Sequence, residues 1–147
     1  MVKAYRHTQV GTFLIAVYGG LILMLGGIYF FADVKGIVIG LAFLFIALGM
    51  FARMTVAVDG EMVRVLLGFG LARKKFALDD IASCQVVRNR WWYMLGVRYT
   101  PHGWLFAVSG LDAVELQMKD GKCFRIGTDD PQGLAEAVGR ADIIPQD

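Results

Sequence analysis

Several residues in this chain of 147 residues are of types that take part in catalysis. The carboxylate pairs Asp79–Asp80 and Asp129–Asp130 consist of neighbours in sequence whose side chains diverge, and the second pair stands where a helix cap is expected. His102 lies in a predicted turn with no Ser or Cys nucleophile close to it in sequence. Gly68–Gly70 precedes neither a helix nor a Lys-Ser/Thr pair, so it is not a phosphate-binding loop. We therefore expect no catalytic residue and no enzymatic activity.

The residues with soft metal-binding side chains are too few and too scattered for a recognisable site. Cys84 and Cys123 belong to no C-x-x-C pair, and only His7 and His102 are available to complete a ligand set. We expect no bound metal and no cofactor, and both thiols are predicted to be buried and inert.

The most unusual polar stretch is Arg88–Tyr93, which joins Arg88 and Arg90 to Trp91, Trp92 and Tyr93. Arginine and large amphipathic rings suit the headgroup region of a membrane, where rings are buried and cations meet anionic lipid. They are also typical of protein interfaces. The third interpretation is structural, with both tryptophans closing a barrel and the arginines solvated.

A second basic stretch, Arg73-Lys74-Lys75, lies in a predicted strand. Alternate residues of a strand face opposite sides, so at most Arg73 and Lys75 form one patch. Such a patch would attract anionic lipid. A solvated edge strand protected by lysine explains the same pattern.

Composition indicates a membrane protein. Hydrophobic residues make up 56% of the chain and charged residues 19%, and the apolar excess lies within the first fifty-odd positions. The net charge of +2 is too small to indicate a nucleic-acid partner.

Two apolar runs are long enough to suggest a pair of transmembrane helices. Val10–Phe31 contains no charged residue and would cover about 33 Å as a helix, against a hydrocarbon core of ~30 Å. Gly36–Ala52 is shorter, and the long stems of Lys35 and Arg53 would extend it. A cleaved signal peptide fits less well, because the first run is too long and no A-x-A site follows it.

The tight link at 32–35 predicts that the two helices are antiparallel neighbours. Small residues let helix backbones approach in lipid, so we expect packing through Ala16 and Gly20 on one helix and Gly36 and Gly40 on the other.

Positive charges predict the orientation in the membrane. The connecting turn has only Lys35 beside Asp33, whereas the outer ends of the two helices carry Lys3, Arg6, Arg53, Arg64, Arg73, Lys74 and Lys75. Both termini are therefore expected in the cytoplasm, with the protein integral to the cytoplasmic (inner) membrane.

After residue 53 the periodicity changes to that of strands. Thr55–Val58 and Glu61–Leu67 flank the two-residue turn Asp59-Gly60 and predict a hairpin. About seven strands follow in all, before a helix that is capped by Asp130, starts at Pro131 and ends near Ala141. We expect residues 1–53 to form a transmembrane helical hairpin. Residues 54–147 are expected to form a mainly β partial barrel or sandwich with a C-terminal capping helix.

Residues 54–140 resemble the pleckstrin-homology (PH)-like domain of small bacterial membrane proteins that carry it behind two transmembrane helices. The resemblance rests on Trp91–Tyr93, Gly96–Arg98, Gly103–Gly110, Ala113–Leu116 and Asp120–Pro131. The Ile-Gly-Thr-Asp-Asp-Pro junction at 126–131 is its most specific part. The resemblance implies a fold and a membrane location more than a function.

PH domains bind phosphoinositides through a basic loop between their first two strands. The corresponding turn here, Asp59-Gly60-Glu61, is short and acidic, so headgroup binding of that kind is not expected. The leading hypothesis is a non-enzymatic, membrane-anchored adaptor or accessory subunit whose domain binds another protein or a second copy of itself. The alternatives are a module that contacts inner-leaflet lipids through Arg88–Tyr93, and an enzyme with distant residues gathered around His102.

Overall fold

The computed structural model describes residues 5–32, 35–70, 72–93, 96–108 and 110–139. Within these residues the chain is a helical region followed by a mostly β domain with two sheets and a C-terminal helix. A short strand, β1 (Tyr5–Val10), precedes helices α1 (Thr12–Ala32) and α2 (Gly36–Phe51). The domain then contains β2 (Arg53–Asp59), β3 (Met62–Leu67), β4 (Ala72–Ala77), β5 (Ile81–Arg88), β6 (Gly96–Thr100), β7 (Gly103–Ala107), β8 (Asp112–Met118), β9 (Cys123–Gly127) and α3 (Pro131–Val138).

The helices α1 and α2 are apolar on all sides. Leu14 is the buried residue of α1, and α2 has no buried residue. With 21 residues, α1 is long and apolar enough to cross a membrane. With 16 residues, α2 is just below the usual spanning length of about 17–25.

Open space lies beside three of the small residues that were expected to pack between α1 and α2. A Cβ atom added at Gly20, Gly36 or Gly40 would meet no atom within 4 Å, and Ala16 is exposed. The helices do contact each other. Their contact therefore does not depend on a close backbone approach at these positions.

Strand β1 was not expected from the sequence. It pairs antiparallel with β2, from Tyr5 opposite Val58 to Val10 opposite Arg53. At the base of the two helices, Gly11 N donates to Ala52 O at 2.8 Å. The expected boundary at residue 53 leaves β1 with the hairpin, whereas the structure makes it part of the first sheet.

The first sheet is antiparallel in the order β1-β2-β3-β4. The predicted hairpin is present, but Asp59 pairs with Met62, so its two-residue turn is Gly60-Glu61, one residue later than the predicted Asp59-Gly60. Alternate residues of β2 and β3 are buried, which gives this sheet one apolar inner face: Met54, Val56, Val58, Val63, Val65 and Leu67.

The second sheet has the order β5-β8-β9-β7-β6. β7 and β9 run parallel, whereas the other neighbours are antiparallel. β5 and β6 follow each other among the strands of the chain but lie at opposite edges of this sheet. The inner faces of the two sheets meet in the core, where the rings of Phe76 and Phe124 are 4.7 Å apart.

Helix α3 closes the domain as predicted at its start. Oδ1 of Asp130 accepts a hydrogen bond from Gly133 N at 3.1 Å, and Pro131 is the first helical residue. Leu134 and Val138 are buried, and α3 contacts strands of both sheets. The helix ends at Val138 because Gly139 adopts a left-handed conformation, with φ of 71°. The predicted roles of Lys3, Asp33 and Ala141 concern residues outside the described ranges.

Candidate functional site

The tryptophan loop, residues 88–93, exposes its rings. Trp91 is 70% exposed and Trp92 is 45% exposed, so neither ring closes the core. Their rings meet edge to face at 5.6 Å, and the Arg90 guanidinium lies 5.1 Å from the Trp92 ring centroid. Aromatic and cationic groups are thus held together at the surface.

Polar contacts fasten this loop to the outer face of the second sheet. Asn89 is 5% exposed, and its Oδ1 accepts from Arg125 Nη1 at 3.2 Å. Arg125 Nε also donates to Glu115 Oε2 at 2.6 Å, in a pair whose side chains are 13% and 17% exposed. Further along the loop, Arg98 Nη1 donates to the carbonyl of Trp92 at 3.2 Å. The loop is therefore positioned by side chains that project away from the core.

Short links connect the tryptophan loop to the base of the two helices. Asn89 N donates to Leu111 O at 2.6 Å, and the nearby carbonyl of Val108 lies against Gly11, where an added Cβ would come within 2.9 Å of it. The backbone of Asn89, at the start of the loop, is thus bonded to Leu111, three residues after the Val108 carbonyl that lies against Gly11.

The turn between β3 and β4 also adjoins the hairpin. Phe69 is 81% exposed, and its ring lies beside Gly49 in the last turn of α2. Gly68 has a φ of 60°, and a Cβ there would collide with the backbone of Met50. From the sequence, Gly68–Gly70 is expected to be a turn and not a site. The sequence does carry a sign of the exposed ring, because Phe69 lies between two glycines in a turn, where a side chain has few neighbours to cover it.

The predicted basic patch is divided between two faces of β4. Arg73 and Lys75 share the outer face as expected, and Arg73 Nε donates to Gly70 O at 2.7 Å. Lys74 faces inward with Phe76, and its Nζ lies 5.5 Å from the centroid of the Phe124 ring. The inward lysine was not foreseen as a site residue.

The inner face of the second sheet extends beyond the cover of the first. In register, Val97 is opposite Phe106 and Tyr99 is opposite Trp104, so these residues share the face that carries Phe124 into the core. Val97, Tyr99 and Trp104 are nevertheless 38%, 72% and 45% exposed. We call these three residues the aromatic shelf. The rings of Tyr99 and Trp104 meet edge to face at 5.6 Å.

A groove of about 180 Å³ separates the aromatic shelf from β4. It is lined by Lys74, Val97, Trp104, Phe106 and Phe124. Among the residues that the structure describes, its lining is apolar apart from the cation Lys74. Neither the shelf nor the groove was predicted, because the order of strands in the second sheet does not follow their order in the chain.

A second, open cavity of about 540 Å³ lies at the end of β6, β7 and β9 and includes His102, Lys122 and Cys123 in its lining. Cys123 is half-buried, which corrects the expectation that both thiols are buried, because it begins a strand beside this cavity. Burial, and then the charge of Glu115, raise the pKa of the Cys123 thiol. The thiolate is the nucleophilic form, so the site does not activate Cys123.

Cys84 is fully buried on β5, as expected, and burial raises the pKa of its thiol to about 12. Within the described residues no group of three or more His, Cys, Asp or Glu side chains is placed to hold a metal ion. Asp79 and Asp80 are exposed in a 3-10 turn.

The remaining polar cluster joins β1 to the start of α3. Tyr5 Oη donates to Asp130 Oδ2 at 3.0 Å, and His7 Nε2 lies 2.5 Å from Asp129 Oδ1. Burial, and then the hydrogen bond to Asp130, raise the pKa of Tyr5. Asp130 is therefore both helix cap and acceptor, whereas Asp129 contacts His7 instead of capping the helix.

Comparison of the sequence with models of known protein families and with curated protein sequences finds no match. The candidate surfaces are accordingly the tryptophan loop, the Phe69 turn, and the aromatic shelf with its groove, as assigned from residues and geometry.

Proposed function

We propose that this protein is a non-enzymatic, membrane-anchored adaptor that presents a PH-like domain at the cytoplasmic face to a protein partner or to a second copy of itself. The observation that carries the proposal is the aromatic shelf. Three large side chains continue the core face of a sheet into solvent, where nothing in the described part of the chain covers them. Exposed aromatic residues beside an unpaired sheet edge are typical of interfaces.

The geometry at the base of the hairpin supports anchoring by both helices. β1 and β2 are neighbours in one sheet, and the hydrogen bond from Gly11 to Ala52 holds the two ends of the hairpin together. If α1 crosses the membrane, the chain must therefore return through it. At ~1.5 Å per residue α2 covers about 24 Å, and Lys35 and Arg53 can extend it by snorkelling.

The same arrangement supports the proposed location. Both ends of the hairpin enter one domain, so the N-terminal strand and the β domain lie on the same side. Lys and Arg near that side include Arg6, Arg53 and Arg73, whereas Lys35 stands at the far end. The positive-inside tendency assigns the domain to the cytoplasm.

Two sheets packed face to face and followed by a capping helix support the PH-like assignment. The short β2–β3 turn argues against phosphoinositide binding, because Asp59 there pairs with Arg64 at 3.0 Å and Glu61 is exposed.

Reporter fusions test the anchor. An enzyme active only outside the cytoplasm should be active when fused after Lys35 and inactive when fused after Asp147. Activity after Asp147 would reverse the orientation, and inactivity after both residues would mean that the helices do not cross.

Photo-crosslinking tests the adaptor. A benzophenone amino acid at Tyr99 of the full-length chain in its native membrane should yield a discrete heavier species. The matched position is Gln132, which is exposed on α3. No adduct at Tyr99, or the same adducts from both positions, would contradict the proposal.

A second candidate function is contact with inner-leaflet lipids through the tryptophan loop. It is favoured by the exposure of Trp91 and Trp92 and by the links from Asn89 to the hairpin base. Rings and arginines held close to an anchored helix pair suit the headgroup layer.

A further inference from the structure

The groove between β4 and β6 has a chemistry that specifies the kind of partner. We propose that it binds an extended acidic segment of another protein, whose apolar side chains pack on the aromatic shelf and whose carboxylates meet Lys74. This proposal rests on the proposed function, because it names the partner class of the same surface.

The backbone on both sides of the groove favours an extended ligand. In the sheets formed by the described residues, β4 has β3 as its neighbour and β6 has β7, so each strand has one edge without a paired strand. An added strand pairs with such an edge through its main chain. Its alternate side chains then point to the same face, which at β6 is the face of Val97 and Tyr99.

Charge selects an acidic ligand. Lys74 is the charged residue that lines the groove, and its ammonium lies over the Phe124 ring, beside an apolar floor. Arg73 and Lys75 flank it on the other face of the same edge strand. A carboxylate beside Lys74 gains a charge-assisted hydrogen bond. A basic segment would meet three cations.

The same charges disfavour a second copy of this chain. Antiparallel pairing of β4 with itself would set two runs of Arg73–Lys75 against each other. Pairing of β6 with itself in symmetric register would place Arg98 against Arg98. Like charges directly opposite each other destabilise paired strands.

The test uses the full-length chain in nanodiscs of zwitterionic phosphatidylcholine. The probes are two fluorescein-labelled peptides of equal length, one alternating valine with glutamate and the other alternating valine with lysine. Fluorescence anisotropy measures their binding. We expect the valine–glutamate peptide to bind, and to bind more weakly as salt is raised. Lys74→Gln should weaken that binding by about tenfold or more.

Two matched variants locate the binding. Lys119→Gln removes an exposed lysine from the β8–β9 turn and should leave the affinity unchanged. Tyr99→Ser should weaken binding, whereas Trp91→Ser, at an exposed ring outside the groove, should not. These side chains are exposed, so each of the four variants should lower the melting temperature only slightly.

Equal binding of the two peptides, or no binding of either at millimolar concentration, would overturn the acidic-segment proposal. So would dimers of the chain that Tyr99→Ser dissolves, or binding of anionic vesicles that Lys74→Gln abolishes. If crosslinks at Tyr99 persist while the peptides fail, the adaptor stands and its partner is of another class. If both fail, the adaptor falls too.

Discussion

The tryptophan loop and the aromatic shelf both expose large rings, but they do so on opposite faces of the second sheet. The shelf belongs to the inner face, where register places Tyr99 and Trp104 in line with Phe124. The loop is fastened to the outer face through Arg98 and Arg125. The shelf is therefore an exposed continuation of the core face, whereas the loop is held by polar contacts on the opposite face.

This difference explains why the two surfaces suit different partners. The shelf is flanked by sheet edges and by one inward lysine, which favour an extended chain. The loop offers no unpaired strand edge to a ligand. It carries Arg90 over the ring of Trp92, and its first residues are bonded to the segment near the start of α1. Such a loop suits a surface of lipid headgroups better than an added strand.

The largest expected effect tests whether the shelf is continuous with the core. Phe124→Ala should lower the free energy of unfolding by about 3–5 kcal/mol, because the ring is 7% exposed and packs on Phe76. Denaturant unfolding measures the change. Tyr99→Ala, at the outer end of the same face, should cost about 0.5 kcal/mol or less. If Tyr99→Ala lowered the free energy of unfolding as much as Phe124→Ala, Tyr99 would be a core residue and not part of an exposed surface.

The next effect concerns the support of the tryptophan loop. Arg125→Met leaves Glu115 and Asn89 without their largely buried partner and should cost about 2–3 kcal/mol. Arg64→Met is the control, since its pair with Asp59 is about half exposed and worth about 0.5 kcal/mol. A shift in tryptophan fluorescence should accompany Arg125→Met only. No loss of stability would contradict the proposed fastening of the loop.

A smaller effect on stability is expected at alkaline pH from Cys84, which is buried in the core between the two sheets. Burial raises the pKa of Cys84 to about 12, so the folded state keeps the neutral thiol while the unfolded chain ionises from pH 9 upward. Stability from this group is full below pH 9 and is lost as the pH rises towards 12. Between pH 8 and pH 10 the expected loss is about 1.4 kcal/mol.

Denaturation of Cys84→Ala and Cys123→Ala at both pH values isolates this contribution. The first variant should show a smaller alkaline loss than the wild type, and the second should keep most of it because Cys123 is only half-buried. An alkaline loss that survives in Cys84→Ala would place the titrating group elsewhere.

Local patterns predicted much of the fold. Alternation around Asp59-Gly60 predicted the β2–β3 hairpin, and Asp130-Pro131 predicted the start of α3. The missed element, β1, pairs with a strand more than forty residues away, across both apolar helices. Its polar Gln9 is buried, so the alternation of Tyr5–Val10 does not read as a typical strand.

The candidate surfaces were less predictable, for a physical reason. The residue types of Arg88–Tyr93 suggest a site, yet their exposure depends on a strand order that places β5 and β6 at opposite edges of the second sheet. The aromatic shelf depends on β6 lying at the edge beyond β7 and β9, an order that no local pattern specifies. Lys74 is exposed, as its run of charged residues predicts, but the register of β4 places it on the inner face beside the groove.

The smallest expected change in stability belongs to the tryptophan loop. Because their rings are exposed, Trp91→Ala and Trp92→Ala should each cost about 1 kcal/mol or less, against the ~3–5 kcal/mol of a core ring.

A vesicle-binding experiment tests whether the loop meets lipid. The sample is the β domain without its two helices, in detergent-free buffer, with β1 joined to β2 by a short linker so that the first sheet keeps its four strands. If the loop meets lipid, vesicles that contain anionic lipid should bind this domain. Either tryptophan variant should then weaken binding, as should Arg88→Ala with Arg90→Ala, and salt should weaken it further. Tyr99→Ser is the matched control on the opposite face and should bind like the wild type. Binding that is lost with Tyr99→Ser but not with Trp91→Ala would exchange the roles of the two surfaces, and an absence of binding at low salt would remove lipid contact from the functions of the loop.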